Sequence, residues 1–98
     1  MIVIEVDPDK DATNVALHGI SLDQAETLLS GFTVQWVDQR YDYGEVRMIA
    51  VGEIGEREFC CVYTRRSEAF RAISLRRANR RERNVYQEAK ARRAAGEA

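Results

Sequence analysis

Residues 69–83 read Ala69-Phe70-Arg71-Ala72-Ile73-Ser74-Leu75-Arg76-Arg77-Ala78-Asn79-Arg80-Arg81-Glu82-Arg83. The first seven are rich in strand formers and place Arg71, Ile73 and Leu75 at every second position, the spacing of one strand face. The pattern then breaks. Asn79-Arg80-Arg81-Glu82 resembles a capping box, in which Asn79 accepts from a backbone N–H of the first turn and Glu82 reaches back to the Asn79 N–H. The segment predicts a strand over 69–75 and a helix over 80–94. Ala78, Glu82, Val85, Tyr86 and Ala89 line one side of that helix, and Arg80, Arg83, Asn84 and Gln87 the other.

Working outward, residues 32–37, 46–52 and 58–64 are also rich in Val, Ile, Phe, Tyr, Trp and Thr, and are separated by the turn-like stretches Asp42-Tyr43-Gly44 and Gly55-Glu56. The links are too short for helical crossovers, so an antiparallel meander follows. Upstream, residues 2–6 read as a short strand. Asp7-Pro8-Asp9 opens a helix, with Asp7 as cap, Pro8 at the first helical position and Asp9 at the positive end of the dipole. Ala12, Val15 and Ala16 give that helix a small apolar face, and Gly19 ends it in the left-handed conformation with Ile20 packing behind. Ser21-Leu22-Asp23-Gln24 opens a second helix with apolar Leu22, Ala25, Leu28 and Leu29, stopped by Gly31. The expected fold is α+β, a single domain over 1–98: a short N-terminal strand, two helices, an antiparallel sheet of four to five strands, and a C-terminal helix with a frayed tail over 94–98.

Composition limits the function. The formal charge of −1 averages two unlike halves. Residues 1–45 carry two basic residues against nine acids, and residues 46–98 carry 13 against seven. Every basic residue except Lys10 and Lys90 is arginine, the side chain suited to bidentate phosphate contacts. Such asymmetry points to an anionic partner. No stretch approaches the roughly 20 apolar residues of a membrane helix, and the start lacks the pattern of a signal peptide, so a cytoplasmic protein is expected. Cys60 and Cys61 are adjacent in an apolar run, match no metal spacing and are expected as reduced, packed thiols. The single histidine excludes a zinc site built on several, and no metal or cofactor is expected.

The strongest candidate feature is the arginine cluster of Arg65, Arg66, Arg71, Arg76, Arg77, Arg80, Arg81 and Arg83, faced by only Glu68 and Glu82. Arg80 and Arg81 fall in the first turn of the last helix, where cations oppose the dipole and where free N–H groups favour anions. Two readings stay open from composition alone: a phosphate-binding site, or a solvated basic face paired with the acidic half. His18, in the last turn of the first helix, fits either a general acid or a plain C-terminal cap. Glu45 and Arg47 bracket Val46 at a strand start and point to one side, either as a site or as an ion pair that sets register. Arg71 on an apolar strand requires a partner or an anion. Among the aromatics, Trp36 alternates with Val34 and Phe32 and is expected in the core, whereas Tyr41 and Tyr43 are expected as an exposed pair able to stack on bases.

The order of these features resembles the BrnT family of toxins. Glu5-Val6-Asp7-Pro8-Asp9-Lys10, Asn14, His18-Gly19-Ile20-Ser21 and Ala25 resemble the family's opening, and Tyr43-Gly44-Glu45 with Arg47 and Gly52 its middle. Residues 71–83 with Tyr86 resemble its C-terminal signature, the most specific block. The resemblance runs from about residue 4 to residue 88. Three positions depart from it: Val6 replaces a usual tryptophan, Leu17 a common lysine and Val46 a frequent acid. The resemblance implies a RelE-like fold and a ribonuclease toxin of a type II toxin–antitoxin system that arrests translation. It also implies a ribbon-helix-helix antitoxin (BrnA-like) in a hetero-oligomer that represses its own operon through operator DNA.

Metal-free RNA cleavage requires a group to move protons and cations to stabilise the phosphorane. The expected catalytic set is His18, Glu45, Arg47, Arg71, Arg76 and Arg77, with His18 or Glu45 as the proton-transfer group and Arg71, Arg76 and Arg77 on the scissile phosphate. Lys10, Tyr43, Arg80, Arg81 and Arg83 are the expected RNA contacts. The alternative is a non-enzymatic binding module acting as antitoxin partner and co-repressor.

Overall fold

A computed structural model describes residues 2–40 and 42–96. Strand β1 (Val3–Glu5) leads into helix α1 (Pro8–His18), a 3₁₀ turn (Leu22–Gln24) and helix α2 (Ala25–Ser30). Strands β2 (Thr33–Val37), β3 (Met48–Ile54), β4 (Arg57–Arg66) and β5 (Ala69–Arg77) follow, and helix α3 (Arg80–Ala94) ends the fold. The caps sit where the residue types demand them. Asp7 accepts from the Asp9 N–H, and Gly19 closes α1 with φ +71°. Asn79 and Glu82 form the full reciprocal capping box of α3. Ser21 caps not an α-helix but the 3₁₀ turn, which then tightens into α2.

The sheet order is β1-β5-β4-β3-β2. Four strands form the expected antiparallel meander, but β1 pairs parallel to β5, so the sheet is mixed. The first helical segment carries the chain back across the sheet before β2 starts at the far edge, which is what makes a parallel edge strand possible.

Two cores lie on opposite faces. On one, Leu22, Ala25 and Leu28 pack on Ala50, Cys61, Tyr63, Ala72 and Leu75. On the other, Tyr86 of α3 packs with Val51, Cys60 and Ala78, flanked by Phe32, Val34 and Ile49. A Cβ on Gly52 would come within 3.1 Å of both Leu28 and Thr33, so α2 approaches the sheet where β3 has no side chain.

Three further expectations fail, each for a tertiary reason. The apolar face Ala12, Val15 and Ala16 of α1 is exposed, and its buried residue is Asn14. Beyond Arg71, β1 no longer pairs with β5, and Asn14 takes the free strand edge in its place. Its amide accepts from the Leu75 N–H at 3.0 Å and donates to the Leu75 carbonyl at 2.8 Å. Arg71, Ile73 and Leu75 do not share a face. Val62 pairs with Ser74 but Tyr63 with Ala72, so Ile73 is an extra residue that reverses the alternation. Trp36 is not in the core. It shares a face with Val34, but borders an open cavity with Asn79, Arg81, Glu82 and Val85 and keeps 37% of its surface. Tyr41, Glu97 and Ala98 lie outside the described residues.

Candidate active site

Because α3 covers only part of its face, a cleft of about 490 Å³ is left beside its first turn. His18, Trp36, Arg40, Ser74, Arg76 and Glu82 are among its lining residues. Each arrives there for a local reason. Lys10, Asn14 and His18 are four residues apart and so occupy one side of α1. Pinning Asn14 to Leu75 therefore sets His18 against the neighbouring strand residues. His18 and Lys10 together line a second hollow of about 390 Å³ with Thr13, Ile73 and Ser74. The bulge at Ile73 puts Ser74 and Arg76 on the cleft side, where Arg76 pairs across β4 with buried Cys60.

The cations of the cleft are held by carboxylates. Arg76 forms a two-pronged pair with Glu82, at 2.8 Å and 2.9 Å. Glu82 also accepts from the Asn79 N–H at 2.8 Å, so one carboxylate both closes the α3 cap and orients Arg76. Burial opposes its charge, yet the Arg76 hydrogen bonds and the Asn79 N–H hold the carboxyl below the usual carboxylate range. Asp38, with a fully buried side chain, grips Arg40 through Nε and Nη2, both at 2.9 Å, and accepts from the Tyr43 hydroxyl at 3.1 Å. The Arg40 hydrogen bond, helped by Tyr43, overrides burial and keeps Asp38 well below its ordinary value. The guanidinium of Arg40 nonetheless stays largely exposed to the cleft. Burial pushes the Cys60 thiol up to about 11, so the cysteine on the cleft floor stays protonated at neutral pH.

Of the expected catalytic set, the structure brings His18 and Arg76 together and separates the rest. Arg77 points to the other face, where it pairs with Phe59 and lies 6.0 Å from that ring. Arg76 and Arg77 therefore do not hold one phosphate between them. Arg71 bridges to Glu5 at 3.6 Å and Asp7 at 3.8 Å, tying β1 to β5. Glu45 and Arg47 precede β3 rather than start it; they lie 3.4 Å apart, and Glu45 also meets Arg66 at 3.7 Å. Tyr43, expected as exposed, is half-buried, with Arg47 stacked 3.9 Å above its ring. Arg83 folds back on the Ala78 carbonyl at 2.8 Å. Arg80 and Arg81 remain exposed on α3. Arg40, Trp36, Ser74 and Glu82 were missed as site residues. Arg40 had one sequence signal, the Asp38-x-Arg40 spacing in a turn; Trp36 had one as an aromatic able to stack on bases, but its alternation with Val34 and Phe32 pointed to the core, since alternation does not reveal how far a helix covers a strand.

A cleft with a histidine, two oriented guanidinium groups and a serine, beside an exposed indole, has the equipment of a protein that handles a phosphodiester. Residues 7–82 match the model of the BrnT family, described as the ribonuclease toxin BrnT of type II toxin–antitoxin systems. The chain belongs to that family. No curated protein matches it. Family membership brings an antitoxin as partner. Among the described residues no helix is long and apolar enough to cross a membrane.

Proposed function

We propose that this chain is a cytoplasmic endoribonuclease toxin of RelE-like fold, acting through a single domain over 1–98. It cleaves RNA without a metal ion in the cleft beside α3. The convergence of His18, Arg76 and Arg40 on one cleft carries the reading. The 2′-hydroxyl loses its proton, its oxygen bonds to the adjacent phosphorus, and the bond to the 5′-oxygen breaks as that oxygen takes a proton. The products are a 2′,3′-cyclic phosphate and a 5′-hydroxyl. His18 is the proton-transfer group; Glu45 is the weaker candidate, being committed to Arg47 and Arg66. Arg76 and Arg40 stabilise the phosphorane, Ser74 contacts its oxygens, and Lys10 with exposed Arg80 and Arg81 meets flanking phosphates. Fixed donors of this kind are worth about 10²–10³-fold each in rate. Cleavage of total RNA in chelator by purified wild type, and its loss in His18→Ala and Arg76→Ala, tests the assignment. Retained cleavage in both folded variants would sink it.

The partner in this reading is a ribbon-helix-helix antitoxin of BrnA type, which covers the basic face and carries the complex to operator DNA, while the free toxin arrests translation. A second reading has one observation in its favour: both cleft arginines already have a carboxylate partner, Glu82 for Arg76 and Asp38 for Arg40. That arrangement also suits a binding module with little catalysis. The same incubation with RNA separates them, since a module binds without producing cyclic-phosphate ends.

A further inference from the structure

Trp36 forms a wall common to two cavities. One is the cleft with His18, Arg40 and Arg76. The other, of about 410 Å³, lies between Trp36, Val85, Asn79, Glu82 and Arg81 and is the size of ordinary small-molecule sites, roughly 300–1,000 Å³. We propose that this second cavity is a nucleobase subsite for single-stranded RNA, with Trp36 as its stacking platform and Arg81 at the phosphate beyond. The proposal rests on the reading of the cleft as an RNA site and adds where the flanking nucleoside goes.

Three observations carry it. First, the indole is the largest aromatic face of the chain, yet 37% of the residue stays exposed and, among the described residues, no ring stacks on it and no group hydrogen-bonds its N–H. An exposed indole beside cations offers a base both a π-face and a polar handle. Second, the lining has the character of a base. Trp36 and Val85 (39% exposed) supply apolar surface for its faces, while the polar groups of the α3 first turn stand at the rim. Third, the order of the groups is that of a nucleotide chain. Arg40 and Arg76 line the first of the two cavities that share Trp36, and Arg81, on the first turn of α3, lines the second. A phosphate in the cleft, a base on Trp36 and a next phosphate at Arg81 follow in sequence. Stacking strength then sets the preference, and a purine beside the cleaved bond is expected over a pyrimidine.

Trp36 is the single tryptophan, so its fluorescence reports the subsite directly. The probe is a 2′-O-methyl RNA hexamer, which lacks the nucleophile. Saturable quenching by the hexamer is expected, and it is lost when the stacked position is made abasic. In cleavage assays Trp36→Ala raises KM by roughly 5- to 150-fold with a smaller change in kcat, and it erases the purine preference. Trp36→Phe keeps most of both. Hexamer binding by anisotropy without quenching overturns the subsite while the RNA reading stands, and so does Trp36→Ala cleavage with wild-type KM and preference. Absence of both hexamer binding and RNA cleavage ends the RNA reading and the subsite with it. Quenching without cleavage supports the subsite and removes the enzyme. Should Trp36→Ala not fold, the fluorescence of the wild type with intact and abasic hexamers decides alone.

Discussion

The two faces of the sheet are covered in different ways. On one, the 3₁₀ turn and α2 seal Ala50, Cys61, Tyr63, Ala72 and Leu75 under Leu22, Ala25 and Leu28. On the other, Tyr86 of α3 covers Val51, Cys60 and Ala78, and beside the start of α3 Ser74, Arg76, Trp36 and Ile49 are left around an open cleft. The first face contributes stability, since burying one leucine is worth about 1.5–3 kcal/mol. The second face sacrifices burial for a site whose polar groups hold each other in place. Neighbouring residues can therefore have unlike fates: Arg76 enters the cleft, while Arg77, one residue on, lies over Phe59 on the other face.

The sharpest way to test that contrast is the arginine pair. Arg76→Ala is expected to lower RNA cleavage by about 10²–10³-fold, while Arg77→Ala stays within about threefold, the near-neutral range of surface substitutions. Equal losses, measured as initial rates on one RNA, would erase the distinction between the faces. Next comes the sealed side. Leu28→Ala should cost about 2–5 kcal/mol in urea unfolding, whereas Val85→Ala at the open cavity should cost well under about 1 kcal/mol. Asn14 links the two regions. Asn14→Ala leaves the Leu75 N–H and carbonyl without their partner, costing about 1–3 kcal/mol. It should also lower cleavage more than Arg77→Ala does, because His18 loses its anchor. A melt without any fall in stability would break that link.

The smallest expected effect is on pH dependence. Asp38, Glu53 and Glu82 all sit below their ordinary values, Asp38 through Arg40, Glu53 through Lys90 and Tyr86, and Glu82 through Arg76 against burial. Groups with lowered folded values bind fewer protons in the native state. Their stabilisation is complete above the ordinary 3.8 and 4.5 and is lost as pH falls through the lower folded values. Thermal melting between pH 7 and pH 5 should be flat on their account and then fall below about 4.5. Glu82→Gln should flatten the acid fall and weaken the hold on Arg76, and an unchanged acid slope would count against that pair.

Much of the fold was legible because its signals are local. Asp7-Pro8, Gly19 and the Asn79–Glu82 box work through groups at most four residues away, so they read the same in any context. The strands were legible from their side-chain types, with ends displaced by a few residues. The burial of α1 was not legible, because an asparagine pinned to a strand edge leaves no apolar period. Nor was the parallel edge strand β1, since three residues carry no orientation signal. In the site, His18 and Arg76 stood out as a lone histidine and part of an arginine run. Arg40 and Trp36 did not, because neither is unusual until the ends of α1, β2 and α3 meet.

The sequence by itself determined where α1 and α3 start, where α1 and α2 stop, that four strands form a meander, and that the basic charge gathers around the start of the last helix. These follow from capping, side-chain alternation and composition, which act over a few residues. Only the tertiary structure decided which arginine serves the cleft. One extra residue at Ile73 inverts the alternation of β5, and Trp36 is left bordering the open cavities beside the start of α3. A shift of one residue moves a side chain through the sheet, and nothing local encodes it.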